Sequence, residues 1–368
     1  MEYKFIVTGG GTSGHINPAI TIADSLKKYY ESNGDTVKIL FTGRKEGLEG
    51  ELVPKAGYDM EYIEAKPFPM KPSVKMIKAL AALIKGRKQC SKIIDDFKPN
   101  AVIGTGGYVC APLLAEAKAK KIPVVIHEAN AFPGRANRFM GRKADLVLTG
   151  FPNLEKDFKT AKKIVYTGNP IRSMFIGNTF ENARKNLGYA PDQKLVFTMG
   201  GSLGAKSLND FIIDCAKLDE FKDVVFVLSS GKQQTKLLKE RSDIPSNLKI
   251  MEYIDNPNDY LCGSDISITR AGAVTCAETA AIGSCSIFVP YPYAAHDHQT
   301  FNARAFADVD GCILVPDDDN LKDNLLKSIR ELLKDESRRS LMRENAKKLQ
   351  VLDCDKRIVD SIREVING

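Results

Sequence analysis

Twice in this chain a short apolar strand runs directly into a glycine-rich turn and then a helix. Residues 4–8 lead into Gly9-Gly10-Gly11-Thr12-Ser13-Gly14-His15, and residues 194–198 lead into Gly200-Gly201-Ser202-Leu203-Gly204-Ala205. Glycine lets backbone approach a ligand closely, and a helix start carries unpaired N–H groups and a partial positive charge, so each turn suits an anion. Opening a strand–turn–helix unit twice points to two doubly wound α/β halves. The length agrees, since 368 residues exceed the roughly 100–200 of one ordinary domain. Strands at 36–42, 60–63, 101–103, 124–126 and 146–148 continue the first half between helical stretches, and strands at 224–228, 249–253, 266–269 and 285–289 continue the second. Gly168-Asn169-Pro170-Ile171-Arg172 reads as the linker, giving domains 1–167 and 168–350. Beyond Pro316 the chain reads as helical, ending in a segment, 351–368, whose helix Asp353 can cap and which can return to the first domain.

Several function classes fall away. The letters at Gly9, Gly11 and Gly14 fit a dinucleotide fingerprint, but the second strand ends in Gly43-Arg44-Lys45, where NAD would require an acid. Arg44 leaves only a small opening for NADP. Four histidines without HxxxH or HExxH spacing do not suggest a metal site, and no cofactor is expected. Eight cysteines without a CxxC pair, and no leader before the strand at Lys4, suggest a reduced, cytoplasmic protein. An apolar content of 43% against 27% charged residues argues for a folded chain rather than a disordered one. No apolar run approaches the roughly 20 residues of a membrane span.

The loops at the strand ends carry the unusual residues, which is where ligands bind in such sheets. Arg270-Ala271-Gly272 turns the strand at 266–269 into a helix start fit for a nucleotide diphosphate. Glu278, one turn further in, shares a face with Val274 and Thr275; it either accepts from ribose hydroxyls or merely complements the helix dipole. After Pro290 and Pro292, Asp297 can cap a helix carrying Gln299 and Asn302, amides suited to sugar hydroxyls and an acetamide. In the first half Thr105-Gly106-Gly107-Tyr108 and His127-Glu128-Ala129-Asn130 follow successive strands. Burying so many polar groups costs energy unless they are paired or used.

Charge is uneven. Residues 1–165 hold 27 Lys and Arg against 17 Asp and Glu, and the remainder holds 26 against 29. Residues 65–94 contain eight basic residues and no acid, with Met76, Ile77, Leu80, Leu83 and Ile84 within one arc of a helix. Three readings are open for this basic amphipathic helix. It lies on an anionic membrane surface, it packs its apolar face on the sheet, or it binds RNA; for the last, the stacking aromatics are missing among the lysines.

Taken together, GGGTSGHINPAI, GTGGYVCAP, HEANAFPGRANR, TGNPIR, MGGSLGAKSLND and ITRAGAVTCAETAAIGSCSIFVPYPYAAHDHQTFNA, in this order, resemble the MurG family. Its members are membrane-associated transferases that add N-acetylglucosamine to lipid I, making lipid II in bacterial peptidoglycan synthesis. The resemblance implies a GT-B fold, two Rossmann-like domains facing across a cleft. It also implies an inverting reaction without a metal, no nucleic-acid partner, and a peripheral location on the cytoplasmic face of the cell membrane. The substrates implied are UDP-GlcNAc and undecaprenyl-diphosphate-linked MurNAc-pentapeptide. Donor contacts fall to Arg172, Ser202, Ile254, Ala273, Val274, Thr275, Cys276, Ala277, Glu278 and Gln299, with Glu278 on the ribose. Thr12, Ser13, Gly14 and Asn130 join the substrate-binding set, the first glycine loop near the acceptor's diphosphate. His15 is the expected base, its ordinary pKa suiting removal of the acceptor's 4-hydroxyl proton; Glu128 is the second candidate and Tyr108 an orienting group. Arg172 or Arg270, with helix-start amides, would stabilise the departing UDP. Ser13, Ala111 and Ala129 stand where the family usually has glycine, glycine and glutamine. A related UDP-sugar epimerase, a glycolipid synthase or a non-catalytic UDP-sugar scaffold would keep the donor elements.

Overall fold

The computed structural model describes residues 1–69, 71, 73–201 and 203–367, so Ser202 lies outside the described residues. The chain divides into two compact units, Met1–Pro170 with Asp353–Gly368, and Ile171–Leu352.

The first unit runs β1 (Glu2–Thr8), α1 (Ser13–Ser32), β2 (Thr36–Gly43), α2 (Glu49–Lys55), β3 (Asp59–Tyr62), α3 (Val74–Phe97), β4 (Ala101–Gly104), α4 (Cys110–Ala119), β5 (Val124–Glu128), α5 (Arg135–Gly141), β6 (Leu146–Thr149) and β7 (Ile164–Tyr166). These strands form a parallel sheet of order β3-β2-β1-β4-β5-β6-β7, with Phe5 facing Ile39 on one side and Ala101 on the other. Buried on both faces, the strands need apolar residues throughout rather than alternation. Phe5 and Val7 pack with Ile22, Leu26 and Tyr30 of α1, while Ile6 between them packs with Leu113 and Leu114 of α4.

The second unit runs α6 (Phe180–Leu187), β8 (Leu195–Met199), α7 (Lys206–Ala216), β9 (Val225–Ser229), α8 (Lys232–Lys239), β10 (Leu248–Met251), α9 (Asn258–Gly263), β11 (Ile266–Thr269), α10 (Ala273–Ile282), β12 (Ser286–Phe288), α11 (His298–Ala307), β13 (Cys312–Leu314), α12 (Leu321–Lys334) and α13 (Glu336–Lys347). Its parallel sheet has the order β10-β9-β8-β11-β12-β13. The final helix, α14 (Cys354–Asn367), buries Ile358, Val359 and Ile362 in the first unit, against the core that includes α1.

In both sheets the strand order reverses beside the strand that precedes a glycine-rich turn, between β1 and β4 and between β8 and β11. Loops at the carboxyl ends of these four strands therefore meet at a crevice of each sheet, the usual ligand position in doubly wound folds.

Of the three readings of helix α3, the one in which its apolar arc packs on the sheet does not hold. The buried stripe is small, Ala79, Ala82, Gly86 and Cys90, and a Cβ on Gly86 would lie 2.1 Å from the Glu64 carbonyl oxygen. Close backbone approach thus selects small residues, and Ile77 and Ile84 are left 70% and 62% exposed. Strands β7 and β13 were not anticipated; each has only three residues.

Candidate functional site

In the second unit, α10 begins at Gly272, whose backbone is extended, with no side-chain cap and no acid in the first turn. The amides of Ala273, Val274 and Thr275 precede the first intrahelical bond, from the Cys276 amide to the Gly272 oxygen, so the dipole's positive end is open to an anion. Cys276 is buried and Ala277 half-buried. Glu278 is also buried, and its Oε1 accepts from Arg172 Nε at 2.8 Å. Burial pushes the Glu278 carboxyl up, and Arg172 opposes that shift. Arg172 also donates from Nη1 to the Asp255 oxygen at 2.9 Å, one residue beyond the half-buried Ile254. One guanidinium thus joins the turn after β10 to the acid of α10.

The remaining expected donor groups separate. Gln299 is half-buried in the first turn of α11, and its Oε1 accepts from the Tyr291 amide at 2.9 Å. Asn302 instead turns inward, fully buried, donating to the Ala271 oxygen at 3.0 Å; it braces the turn before α10 rather than facing a ligand. Asp297 occupies the cap position of α11 but makes no side-chain cap bond, its carboxylate accepting from the Thr300 hydroxyl. Arg270 spends both terminal nitrogens on protein acceptors.

In the first unit, Thr12 is the extended cap of α1, again with no side-chain cap, and Thr12 and Gly14 are exposed while Ser13 and His15 are half-buried. The His15 imidazole packs on Gly106, where a Cβ would come within 2.6 Å of Nδ1 and where φ is +121°; only glycine satisfies both demands. The Thr105 hydroxyl donates to the His15 carbonyl at 2.7 Å, so the loop after β4 holds the first turn of α1. Tyr108 accepts from Arg44 Nη1 at 2.7 Å through its hydroxyl, which commits to the protein the arginine that left an opening for NADP.

Glu128 is buried, and both carboxylate oxygens are engaged. Oε1 accepts from the Asn130 amide at 2.9 Å and Oε2 from the Gly134 amide and Asn137 Nδ2, each at 3.0 Å. Burial pushes its pKa up, while these donors pull it down. The half-buried Asn130 is therefore set by Glu128, also donating Nδ2 to Oε1 at 3.2 Å. Among the described residues no group of three or more His, Cys, Asp or Glu is arranged to hold a metal ion.

Residues 5–149 match the glycosyltransferase family 28 N-terminal domain, and residues 195–358 its C-terminal domain. The chain is 39% identical over 366 residues to a UDP-N-acetylglucosamine--N-acetylmuramyl-(pentapeptide) pyrophosphoryl-undecaprenol N-acetylglucosamine transferase of Thermoanaerobacter sp. (strain X514), covering 98% of this chain and 100% of that one. It is 38% identical over 369 residues to the transferase of the same name from Acetivibrio thermocellus, covering 99% of each. The crystal structure of Acinetobacter baumannii MurG superposes with a TM-score of 0.76 at 26% identity, covering 98% of this chain and 99% of that one. The chain belongs to the MurG family. Its fold is GT-B, and it is a glycosyltransferase.

Within this MurG-family chain one important side chain was missed from the sequence. Glu49, the first residue of α2, is buried, and its carboxylate accepts from the Gly11 amide at 3.1 Å and the Arg44 amide at 3.2 Å. The amide of Gly11 is thus already paired with a protein carboxylate, and the stretch from Thr12 to Gly14, exposed at both ends, is what the loop offers to a ligand. No local pattern marks Glu49; the crowding of Gly10, Gly43 and Gly47 around it is the nearest signal.

Proposed function

We infer that this chain transfers N-acetylglucosamine from UDP-GlcNAc to the 4-hydroxyl of MurNAc in undecaprenyl-linked lipid I, forming lipid II for peptidoglycan synthesis. Near-complete coverage at 38–39% identity to transferases with that name carries the conclusion. On the donor side, the uncapped start of α10 takes the diphosphate and Glu278, steadied by Arg172, takes the ribose; Ile254, Gln299 and Ser202 complete the donor set. Supporting this are the open amides of residues 273–275 and the bond between Arg172 and Glu278. On the acceptor side, Thr12, Ser13, Gly14 and Asn130 bind lipid I.

His15 is the general base. The acceptor oxygen attacks the anomeric carbon, the bond to the UDP oxygen breaks with its electron pair leaving on UDP, and His15 takes the hydroxyl proton. Displacement from the face opposite an α-linked UDP yields a β-linked disaccharide. Burial of Glu128 behind four amide donors favours a positioning role for it, through Asn130, and leaves His15 the better base. Tyr108, held by Arg44, orients rather than abstracts.

The enzyme works from the cytoplasmic face of the cell membrane, held peripherally by α3. Among the described residues no helix is long and apolar enough to cross a membrane. The exposed Val74, Ile77, Leu80 and Ile84, with the exposed Phe68 six residues before Val74 and lysines interspersed in the sequence, support contact with an anionic surface. Each basic residue near such a surface contributes about 1 kcal/mol. A pit of about 340 Å³ lined by Arg87, Lys118, Phe139 and Lys143 opens onto the same helix.

Incubation of the protein with UDP-GlcNAc and a lipid I analogue should yield the disaccharide product, and His15→Ala should lower kcat by about 10²–10⁴-fold. Absence of transfer by the natural chain would overturn the function. Full turnover by His15→Ala would remove His15 as base.

A further inference from the structure

Arg270 is the first residue after β11, at the turn into α10. Its Nη1 donates to the Val289 and Pro290 carbonyls, each at 3.1 Å, and its Nη2 to Asp317 Oδ2 at 2.7 Å and Ser207 Oγ at 3.3 Å. Ser207 also donates to Asp317, at 2.9 Å, and the guanidinium lies 5.6 Å from the Tyr291 ring centroid. The side chains of Arg270 and Asp317 are only 11% and 13% exposed. One arginine thus joins the end of β11, the first turn of α7, the segment after β13 and the loop that follows β12.

That loop leads to the sugar end of the proposed donor site. The Tyr291 amide donates to Gln299 Oε1, and a backbone N–H can only pair with the amide's oxygen. Gln299 is therefore left presenting its NH₂ group, a pure donor. Between them the chain takes two successive left-handed residues, His296 at φ 56° and Asp297 at φ 56°, a conformation that persists only where its surroundings hold it.

We propose that Arg270 is a positioning residue that selects the donor's sugar. By tying down Val289 and Pro290 it fixes the Tyr291 amide, which turns the Gln299 NH₂ toward oxygen acceptors, the hydroxyls or acetamido carbonyl of an N-acetylamino sugar. It makes no contact with the diphosphate. The inference rests on the donor reading of the second unit.

The test compares UDP, which has no sugar, with UDP-GlcNAc, using the full chain. Arg270→Met should leave the Kd for UDP within about twofold, raise the KM for UDP-GlcNAc at least tenfold, and leave the KM of the lipid I analogue unchanged. Gln299→Ala should do the same, and the double variant should be no worse than either single one, because both act through one group. Where Arg270→Met fails to fold, Asp317→Asn, which removes the charge that fixes the guanidinium, carries the same comparison. Equal weakening of UDP and UDP-GlcNAc would overturn the proposal in favour of a phosphate contact, and additive losses would overturn the route through Gln299. Failure of the natural chain to bind UDP would instead remove the donor reading itself.

Discussion

His127 is fully buried at the end of β5, and burial, with a smaller push from His15, brings its imidazole down to about 4. The ordinary value is 6.5, so between these two values the unfolded chain binds a proton that the folded chain refuses. Stability is fully present above the unfolded value and is lost as pH falls through that window. Between about pH 7.5 and about pH 5 the loss from this one group comes to about 2 kcal/mol. Urea unfolding at both pH values should show the natural chain losing about that much more than His127→Gln, which cannot titrate; equal losses would contradict a buried neutral imidazole. The same scale shows what a sequence can disclose. Glu278 and the helix start at Ala273 were readable because their relation is local, a few residues along one helix. Glu49 and Arg270 were not, since the Gly11 amide lies 38 residues from Glu49 and Asp317 lies 47 from Arg270. Asn302 was misjudged because periodicity places it near Gln299 without saying that the Ala271 carbonyl awaits it.

At the scale of elements, most strands were visible because a doubly buried parallel strand is continuously apolar. β7 and β13 were not, being three residues long at the sheet edges and too short to carry a period. Helix α3 shows a different limit. Its amphipathic arc was plain, but amphipathicity names two faces without saying which one packs, and the packed face is the small-residue stripe of Ala79, Ala82 and Gly86, where Gly86 admits the Glu64 backbone. The exposed arc then costs stability nothing to alter, which allows its role to be isolated. Ile77→Glu with Ile84→Glu should leave thermal unfolding and turnover of a water-soluble lipid I analogue unchanged. Sedimentation with vesicles containing anionic lipid should fall at least tenfold, because apolar burial is lost and like charge is introduced. Unchanged sedimentation would remove α3 from the proposed membrane contact.

For the whole molecule, the chain leaves its first unit at Pro170 and returns to it at Asp353, so its last helix folds on residues from its first. Ile358 and Ile362 are fully buried beside Phe5, Ile22 and Leu26, Arg363 lies 4.6 Å from the Tyr29 ring centroid, and Lys163 pairs with Glu364. The exposed ion pair contributes little, so the two isoleucines dominate. Truncating a buried isoleucine to alanine costs about 2–5 kcal/mol, and two together approach the roughly 5–15 kcal/mol that holds an ordinary domain. The second unit has its own core, around Val196, Phe226, Leu228, Ile266 and Ile268. It also has a buried ionic brace in which Asp265 meets Arg184 at 2.5 Å and Arg339 at 3.4 Å, none of it involving α14. Ile358→Ala with Ile362→Ala should therefore collapse amide-exchange protection in β1, β2 and β4 while leaving β8, β9 and β11 protected. UDP binding should survive in that variant while transfer to lipid I is lost, because the proposed donor residues all lie in the unit that keeps its core. Equal loss of protection in both sheets would show instead that the two units unfold as one, and that the return of α14 stabilises the whole chain rather than the first unit alone.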